Sequence, residues 1–465
     1  MSTPAPMPRD PARSAHDRQA LRAPEGAGRE SEQDRAEALR RAGRRALLAA
    51  FLGFFVDMFD IYLPVVALAP AMAYFQPDSL SPTFKSTLYY VVFALSLLGR
   101  PCGATLFGHL SDKIGRRKVA IVSMTGFALV TLAIGLLPGY DQWGKASIVL
   151  LVVLRFVDGI FLGGEYTAAN PLAMEYARKE QRGLWSACIH AGFPLSLAVM
   201  SALTLGLLSR IPSGSRHSAY VVWGWRIPFF LGSALAFVVL IYFVRRVAES
   251  PVWATSKKVK APLLELFRGG NRRIFAQVFL LMSGIWFMLN AVTSILPGVL
   301  LTQRHASIVT VTYAQMIANL VLAASYVPFG LLGQRIGRRT VLWLFALAGA
   351  TAGPVFYFVL VRSGYKNPAE LIVLVTLVNL CAIPAWSNVT AYLNERFSTG
   401  VRACGYGVGY SAAIIVPAFS SVYMLGLNRL GIPYEYTQIV ILAFGGVLML
   451  VGALAGPETR DVDIA

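Results

Sequence analysis

The sequence predicts an all-α membrane protein whose twelve transmembrane helices form two pseudo-symmetric six-helix bundles. Three observations carry that reading. Of 465 residues, 56% are hydrophobic and only 14% charged, whereas a water-soluble chain has about 25% charged residues. Apolar runs of about 20 residues, enough to cross the roughly 30 Å hydrocarbon layer as a helix, recur along the chain. The second half also repeats landmarks of the first.

The runs fall near 46–74, 86–110, 118–138, 147–172, 184–209 and 226–244, then 274–301, 309–333, 341–361, 369–393, 403–427 and 437–455. In lipid each span has to satisfy its own backbone groups, so helices are the default. Residues 1–45 hold ten Arg, seven acids and no apolar core, which reads as a disordered cytoplasmic tail and not as a signal or transit peptide. The longest internal connection, 245–273, carries eight basic residues and divides the chain into bundles at 46–244 and 274–455, with a second tail at 456–465.

Charge placement orients the spans. With the N-terminus inside, the tails and even-to-odd connections hold 31 of the 42 Lys and Arg, the opposite connections nine, and the spans two. Such a skew puts both termini in the cytoplasm. It also accounts for the net charge of +18 without a nucleic-acid partner. Cys102, Cys188, Cys381 and Cys404 lie in apolar runs without metal-ligand spacing and read as small buried hydrophobes.

The halves share a motif. Gly108-His-Leu-Ser-Asp112-Lys-Ile-Gly115-Arg116-Arg117 recurs as Gly330-Leu-Leu-Gly-Gln334-Arg-Ile-Gly337-Arg338-Arg339, and Glu175 with Arg182 recurs as Glu395 with Arg402 at the same spacing. A parallel duplication of a six-helix unit is the pattern of a transporter that rocks one half against the other.

At these residues the chain resembles the major facilitator superfamily, from the first span to the last, most specifically through Gly108 to Arg117. Within that superfamily three stretches resemble the metabolite:proton symporter group: Arg100-Pro101-Cys-Gly103, Gly163-Gly164-Glu165-Tyr166, and Trp223-Gly-Trp225-Arg226-Ile-Pro228. Glu249-Ser250-Pro251 and Pro457-Glu458-Thr459 resemble the related sugar porters. The resemblance implies the major facilitator fold and inward carriage of organic acids, betaines or similar metabolites with protons. Asp158 departs from the family pattern, which has Gln there. The resemblance further implies that Asp112, Gly115, Arg116 and Arg117, with Glu175 and Arg182, latch the halves together on the inner side. Arg338, Glu395 and Arg402 supply the second copy, weakened by Gln334 in place of Asp112.

Charges inside hydrocarbon cost several kcal/mol and face an interior or a water-filled path. Asp57 and Asp60 share a face of span 1, Arg100 lies in span 2, and Arg155, Asp158 and Glu165 fall on one arc of span 4. Depth along the helices pairs Asp57 with Arg100 and Asp60 with Arg155, although a shift of a few residues in the span boundaries would exchange the partners. Four acids face two arginines, so an anionic substrate that diverts an arginine would leave a carboxyl to take up a proton. Glu165, nearer the cytoplasm, either joins that coupling or braces span 4. Arg100, Arg155, Asn290, Gln315, Asn319, Trp386 and Asn388 are the candidate substrate contacts. The amides among them serve equally as helix-packing groups.

The expected function is proton-coupled symport of a small organic anion by a monomer in the inner membrane, partnered by substrate, protons and lipid. No cofactor, metal or nucleic acid is called for. A proton-linked sugar or polyol porter is the alternative, with a drug or metabolite exporter third. No nucleophile–base pair supports an enzyme, and no G-x-x-x-x-G-K-[ST] supports an ATP-driven pump.

Overall fold

The computed structural model describes residues 25–77, 79–80, 82–213, 215–256, 259–302, 304, 306–362 and 367–464. Every regular element among them is helical. Residues 1–24 of the expected irregular tail lie outside the described residues. Residues 25–45 correct that expectation, because helix α1 already begins at Glu25 and runs Glu25–Leu63. Ala, Leu, Glu and Arg are good helix formers, and Glu37 pairs with Arg41 one turn on, at 2.5 Å.

The first half continues with α2 (Pro82–Ile114), α3 (Arg116–Gly135), α4 (Lys145–Tyr176), α5 (Arg182–Leu208) and α6 (Arg226–Arg246). The second half comprises α7 (Gly269–Leu289), α8 (Ile308–Ile336), α9 (Arg338–Ala350 with Ala352–Arg362), α10 (Pro368–Ala382 with Trp386–Arg396), α11 (Arg402–Ala412 with Ser420–Arg429) and α12 (Tyr434–Ala455). Eleven of these are long and apolar enough to cross a membrane, and the 33-residue α2 is the twelfth. An even number of crossings returns the C-terminus to the side of the N-terminus, here called the terminal face, opposite the distal face.

Breaks in the helices occur at matching places. Beyond Leu63, α1 relaxes into a π turn at Pro64–Leu68 and a 3₁₀ segment at Ala69–Phe75. Beyond Leu289, α7 has a matching π turn at Asn290–Ile295 and then regains the α-helical register at Leu296–Thr302. Proline lacks the N–H that the α-helical register needs, and π turns concentrate where a helix adjoins a working cavity. In α10 the register is lost at Ile383-Pro384-Ala385, which re-aims Trp386.

Lipid provides no hydrophobic drive between helices, so close backbone contact replaces it. Gly99, Gly103, Gly159 and Gly163 interleave α2 with α4, and a Cβ on any of them would overlap backbone of the facing helix. The halves meet along two seams, α2 against α11 and α5 against α8. On the second, Gly183 and Gly330 face each other so closely that a Cβ on either would strike the other's carbonyl oxygen. Gly407 likewise leaves room for Thr167 of α4, so the glycines of α11 serve packing. Cys404 is buried, but Cys102 is exposed and Cys188 and Cys381 are half-buried, against the expectation that all four cysteines are buried.

One stability test follows. Gly103→Val forces α2 off the backbone of Ile160, an overpacking worth about 1–3 kcal/mol. The expected result is a thermal midpoint several degrees lower in detergent, while Gly206→Ala, with nothing within 4 Å, leaves it unchanged. Equal midpoints for the two variants would refute the packing argument.

Candidate functional site: a buried charge cluster above a two-half gate

The six intramembrane charges converge inside the first half, each 1% exposed or less. Arg100 Nη2 donates to Asp57 Oδ2 at 2.6 Å, and its guanidinium stacks on the Tyr166 ring, 4.7 Å from the centroid. Arg155 is shared: Nη1 lies 2.9 Å from Asp158 Oδ2 and 3.5 Å from Asp60 Oδ2. Thr131 of α3 donates to the other Asp60 oxygen at 2.8 Å. Asp60 and Asp158 thus meet on one nitrogen of a single guanidinium. Glu165 has no hydrogen-bond partner on either oxygen and sits against Gly53 and Met124.

A cavity of about 320 Å³ opens beside this cluster, between the halves. Arg100 reaches its wall from α2; His190 and Phe193 come from α5, Trp286 from α7, Trp386 from α10 and Tyr410 from α11. A second space of about 310 Å³ continues it toward the distal end of α7, where Asn290 and Ser294 line it. Aromatic rings close the central cavity toward the terminal face. Trp286 and Trp386 meet at 4.8 Å, and Trp386 and Tyr410 at 5.4 Å. Below them a polar seam joins the halves. Asn170 donates to Tyr406 at 2.8 Å, Thr390 bridges Tyr406 and His190 at 3.0 and 3.1 Å, and the Tyr166 and Ser411 hydroxyls are bonded.

On the terminal face the repeated motif packs against the opposite half. Asp112 accepts from the backbone N–H groups of Ala403 and Cys404 at 3.2 and 2.9 Å, which caps α11 and answers its dipole. It also accepts from Arg116 at 2.6 Å. Arg116 reaches Glu175 at 3.1 Å and the Thr399 carbonyl at 3.1 Å, and Glu175 binds Arg402 at 2.8 Å. The second copy repeats the arrangement with fewer bonds across the seam: Gln334 accepts one from the other half, from Gly183 N–H at the start of α5 at 3.1 Å, and one from Arg338 at 2.7 Å. Arg338 lies 3.5 Å and Arg182 3.9 Å from Glu395.

Gly115 and Arg117 work within one half. Gly115 has φ 117°, which only glycine adopts without strain, and it turns the chain so that Glu249 can cap Arg116 and Arg117 N–H at 3.0 and 3.1 Å. Arg117 itself donates to the Val247 and Val244 carbonyls at the end of α6. Gly337, at φ 105°, repeats the turn with Glu458.

The sequence model described as Major Facilitator Superfamily matches residues 50–421. The chain belongs to that superfamily. Superfamily relatives match nearly end to end. Inner membrane metabolite transport protein YhjE of Escherichia coli is 28% identical over 451 residues, covering 90% of this chain and 94% of its own. Alpha-ketoglutarate permease of the same organism is 28% identical over 422 residues, covering 87% and 93%. A solved structure of the proton:xylose symporter XylE superposes with a TM-score of 0.69 at 18% identity, covering 89% of this chain and 94% of that one, which speaks to the fold. The protein is a multi-pass transporter of small molecules, with the fold and relatives of superfamily transporters.

Of the substrate contacts expected from sequence, this superfamily fold brings Arg100 and Trp386 to the central cavity and Asn290 to its distal continuation. Four others lie outside both linings. Arg155 Nη1 is held by Asp60 and Asp158. Asn388 is tied to the Phe329 carbonyl and Ser387, Asn319 to the Gln315 carbonyl of its own helix, and Gln315 to Val292. In lipid, an amide near a carbonyl of its own or a packed helix bonds there instead of facing a cavity. His190 reads from the sequence as a proton shuttle or, more readily, a structural histidine, because a histidine in an apolar run does not tell a buried ring from a wall of the path; the structure places it on the cavity wall.

Proposed function

We propose that the protein is a proton symporter for a small organic anion, working by alternating access as a monomer in the inner membrane with both termini in the cytoplasm. The bundles 46–244 and 274–455 would move as bodies joined by 245–273. The observation that carries the reading is the pair of buried carboxyl groups, Asp60 and Asp158, held on one nitrogen of the single Arg155. Two carboxylates on one guanidinium in a water-free interior leave a negative charge over unless a proton is retained on the pair. Charge then balances as one proton, two carboxyls and one guanidinium; Asp57 and Arg100 form a second neutral set, and Glu165, which has no partner on either oxygen, is neutral with a proton of its own.

Substrate enters this balance at Arg100, the one lysine or arginine on the cavity wall among the described residues. An anion that binds Arg100 competes with Asp57, three residues from Asp60 on the same helix. The added negative charge favours retention of the proton at the carboxyl pair, so cargo and proton load together. The contacts of Asp112, Glu175, Arg182 and Arg402 across the seam act as the cytoplasmic gate, and the lysine and arginine skew supports their cytoplasmic side. The wall of aromatic rings offers few partners for the many hydroxyls of a sugar. The relative named for alpha-ketoglutarate, an organic anion, supports the same class.

Uptake into vesicles that are acidic outside, with carboxylates, betaines and sugars as candidates, tests the reading. Carboxylate accumulation that collapses with the proton gradient is expected, as is loss of carboxylate uptake in Arg100→Gln. Accumulation indifferent to the gradient, or uptake of sugars alone, would overturn it.

A further inference from the structure

The residues after α12 are bound into the terminal face by side chains from both halves. Glu458 begins the segment by capping Arg338 and Arg339 N–H. Thr459 then donates to Glu395 Oε2 at 2.7 Å, and Arg460 to the Arg335 carbonyl at the end of α8 at 2.8 Å. The chain turns here, with Val462 N–H on the Thr459 carbonyl at 3.0 Å. Further on Ile464 is 4% exposed, and its carbonyl accepts from Arg402 Nη2 at 2.9 Å. All of these partners belong to the second half. Between the two pins the first half takes hold: Arg182 Nη1, at the start of α5, donates to the Val462 carbonyl at 2.6 Å.

The internal repeat shows what this hold replaces. In the first copy the acid and arginine across the seam meet directly, Glu175 with Arg402 at 2.8 Å. Their counterparts, Glu395 and Arg182, are 3.9 Å apart, too far for a hydrogen bond. The segment fills that gap, with the Thr459 hydroxyl on the acid and the Val462 carbonyl on the arginine. It also orients the closer pair, because Arg402 gives Nη1 to Glu175 and Nη2 to the Ile464 carbonyl. Both arginines are buried, at 4% and 2% exposure, where a guanidinium N–H without an acceptor is costly. The acceptors are main-chain carbonyls, so side chains matter here only for seating the segment. Ile464 is buried and does so, whereas Val462 is 37% exposed.

We propose that residues 458–464 are a strap that closes the weaker side of the gate. Pinned at both ends to the second half and caught in the middle by Arg182 of the first, the strap holds the terminal face shut, and the bond from Arg182 to the Val462 carbonyl breaks when that face opens. This rests on the reading above that the contacts on the terminal face are a gate.

Pulsed electron spin resonance on the full chain in lipid nanodiscs tests it, with the native cysteines replaced by serine. Nitroxide labels on Arg178→Cys and Ser398→Cys, exposed positions at corresponding places in the two halves, report the separation of the halves without touching the strap. Ile464→Asp, which expels the seating side chain, and Arg182→Gln, which removes the cation, are each expected to raise the ratio of long to short distances about tenfold, the worth of one hydrogen bond to a charged group. The two together should do little more than either alone, since both act through the same bond. Val462→Ala should leave the ratio at its wild-type value, because the acceptor is the main chain. Asp112→Ala, which weakens the gate away from the strap, is the reference. A raised ratio in Asp112→Ala with no change in Ile464→Asp, or full additivity of Ile464→Asp and Arg182→Gln, would overturn the strap and leave the gate standing. A ratio that no variant moves, Asp112→Ala included, would remove the gate reading and the strap with it.

Discussion

Asp60→Asn is expected to abolish uphill uptake while leaving exchange of substrate across the membrane intact. The amide keeps the place of the carboxyl group, since its oxygen can still accept from Thr131, which donates to Asp60 at 2.8 Å. Its NH₂ stands where the retained proton lay. The variant is thus a permanent copy of the proton-loaded pair. One pH unit across the membrane sustains about tenfold accumulation per symported proton. In the variant that ratio is expected to fall to about one, with counterflow of labelled substrate within a few-fold of wild type. Asp158→Asn should behave likewise. The double variant should not, because Arg155 would then lose both of its carboxylate partners. Removing the partners of a buried charge costs about 3–5 kcal/mol, so poor folding is the expected result there. Concentrative uptake by Asp60→Asn at the wild-type level would end the proposal that this pair carries the proton.

The second large effect concerns the gate. Asp112→Ala deletes two bonds from α11 N–H groups and the pair with Arg116 at one stroke. Hydrogen bonds to a charged group contribute about 1.5–3 kcal/mol each. Loss of about 2–3 kcal/mol from the state closed on the terminal face raises the open population by roughly 30–150-fold. Cys404 supplies the reporter, since it lies buried at the start of α11 with its own N–H on Asp112. In a chain whose other cysteines are replaced by serine, alkylation of Cys404 by a charged maleimide should accelerate by that factor in Asp112→Ala. Gln334→Ala should change it far less, because the second copy makes one neutral bond to α5 where the first makes two charge-assisted ones to α11. An unchanged alkylation rate in Asp112→Ala would show that the seam is held elsewhere.

Much of this machinery is legible along the chain, for a physical reason specific to membranes. A charge in hydrocarbon is so costly that each one present marks the interior, and helix rise turns residue number into depth. The Asp57–Arg100 contact could therefore be anticipated before any coordinates. What depth does not report is rotation about the helix axis, so the sharing of Arg155 between Asp60 and Asp158, three residues below it on the same helix, came only with the structure. The same limit explains the amides. Asn319 and Asn388 lie at suitable depths yet spend their side chains on nearby carbonyls, and the sequence carries no sign of that choice. Residues 25–45 went astray for a different reason: their polar composition was read as irregular, but good helix formers with one-turn ion pairing extend α1 well beyond the apolar stretch.

By itself, then, the amino-acid sequence determined the class of protein, the twelve crossings, the two-fold repeat and the identity of the buried charges, because hydrocarbon imposes its cost residue by residue. Tertiary structure alone decided which carboxyl groups share an arginine, which aromatic rings wall the cavity, and which half each gating side chain grips. Those depend on how helices distant in sequence are rotated and pressed together, and that is set by packing of one half on the other, where a single glycine or a broken turn redirects a side chain.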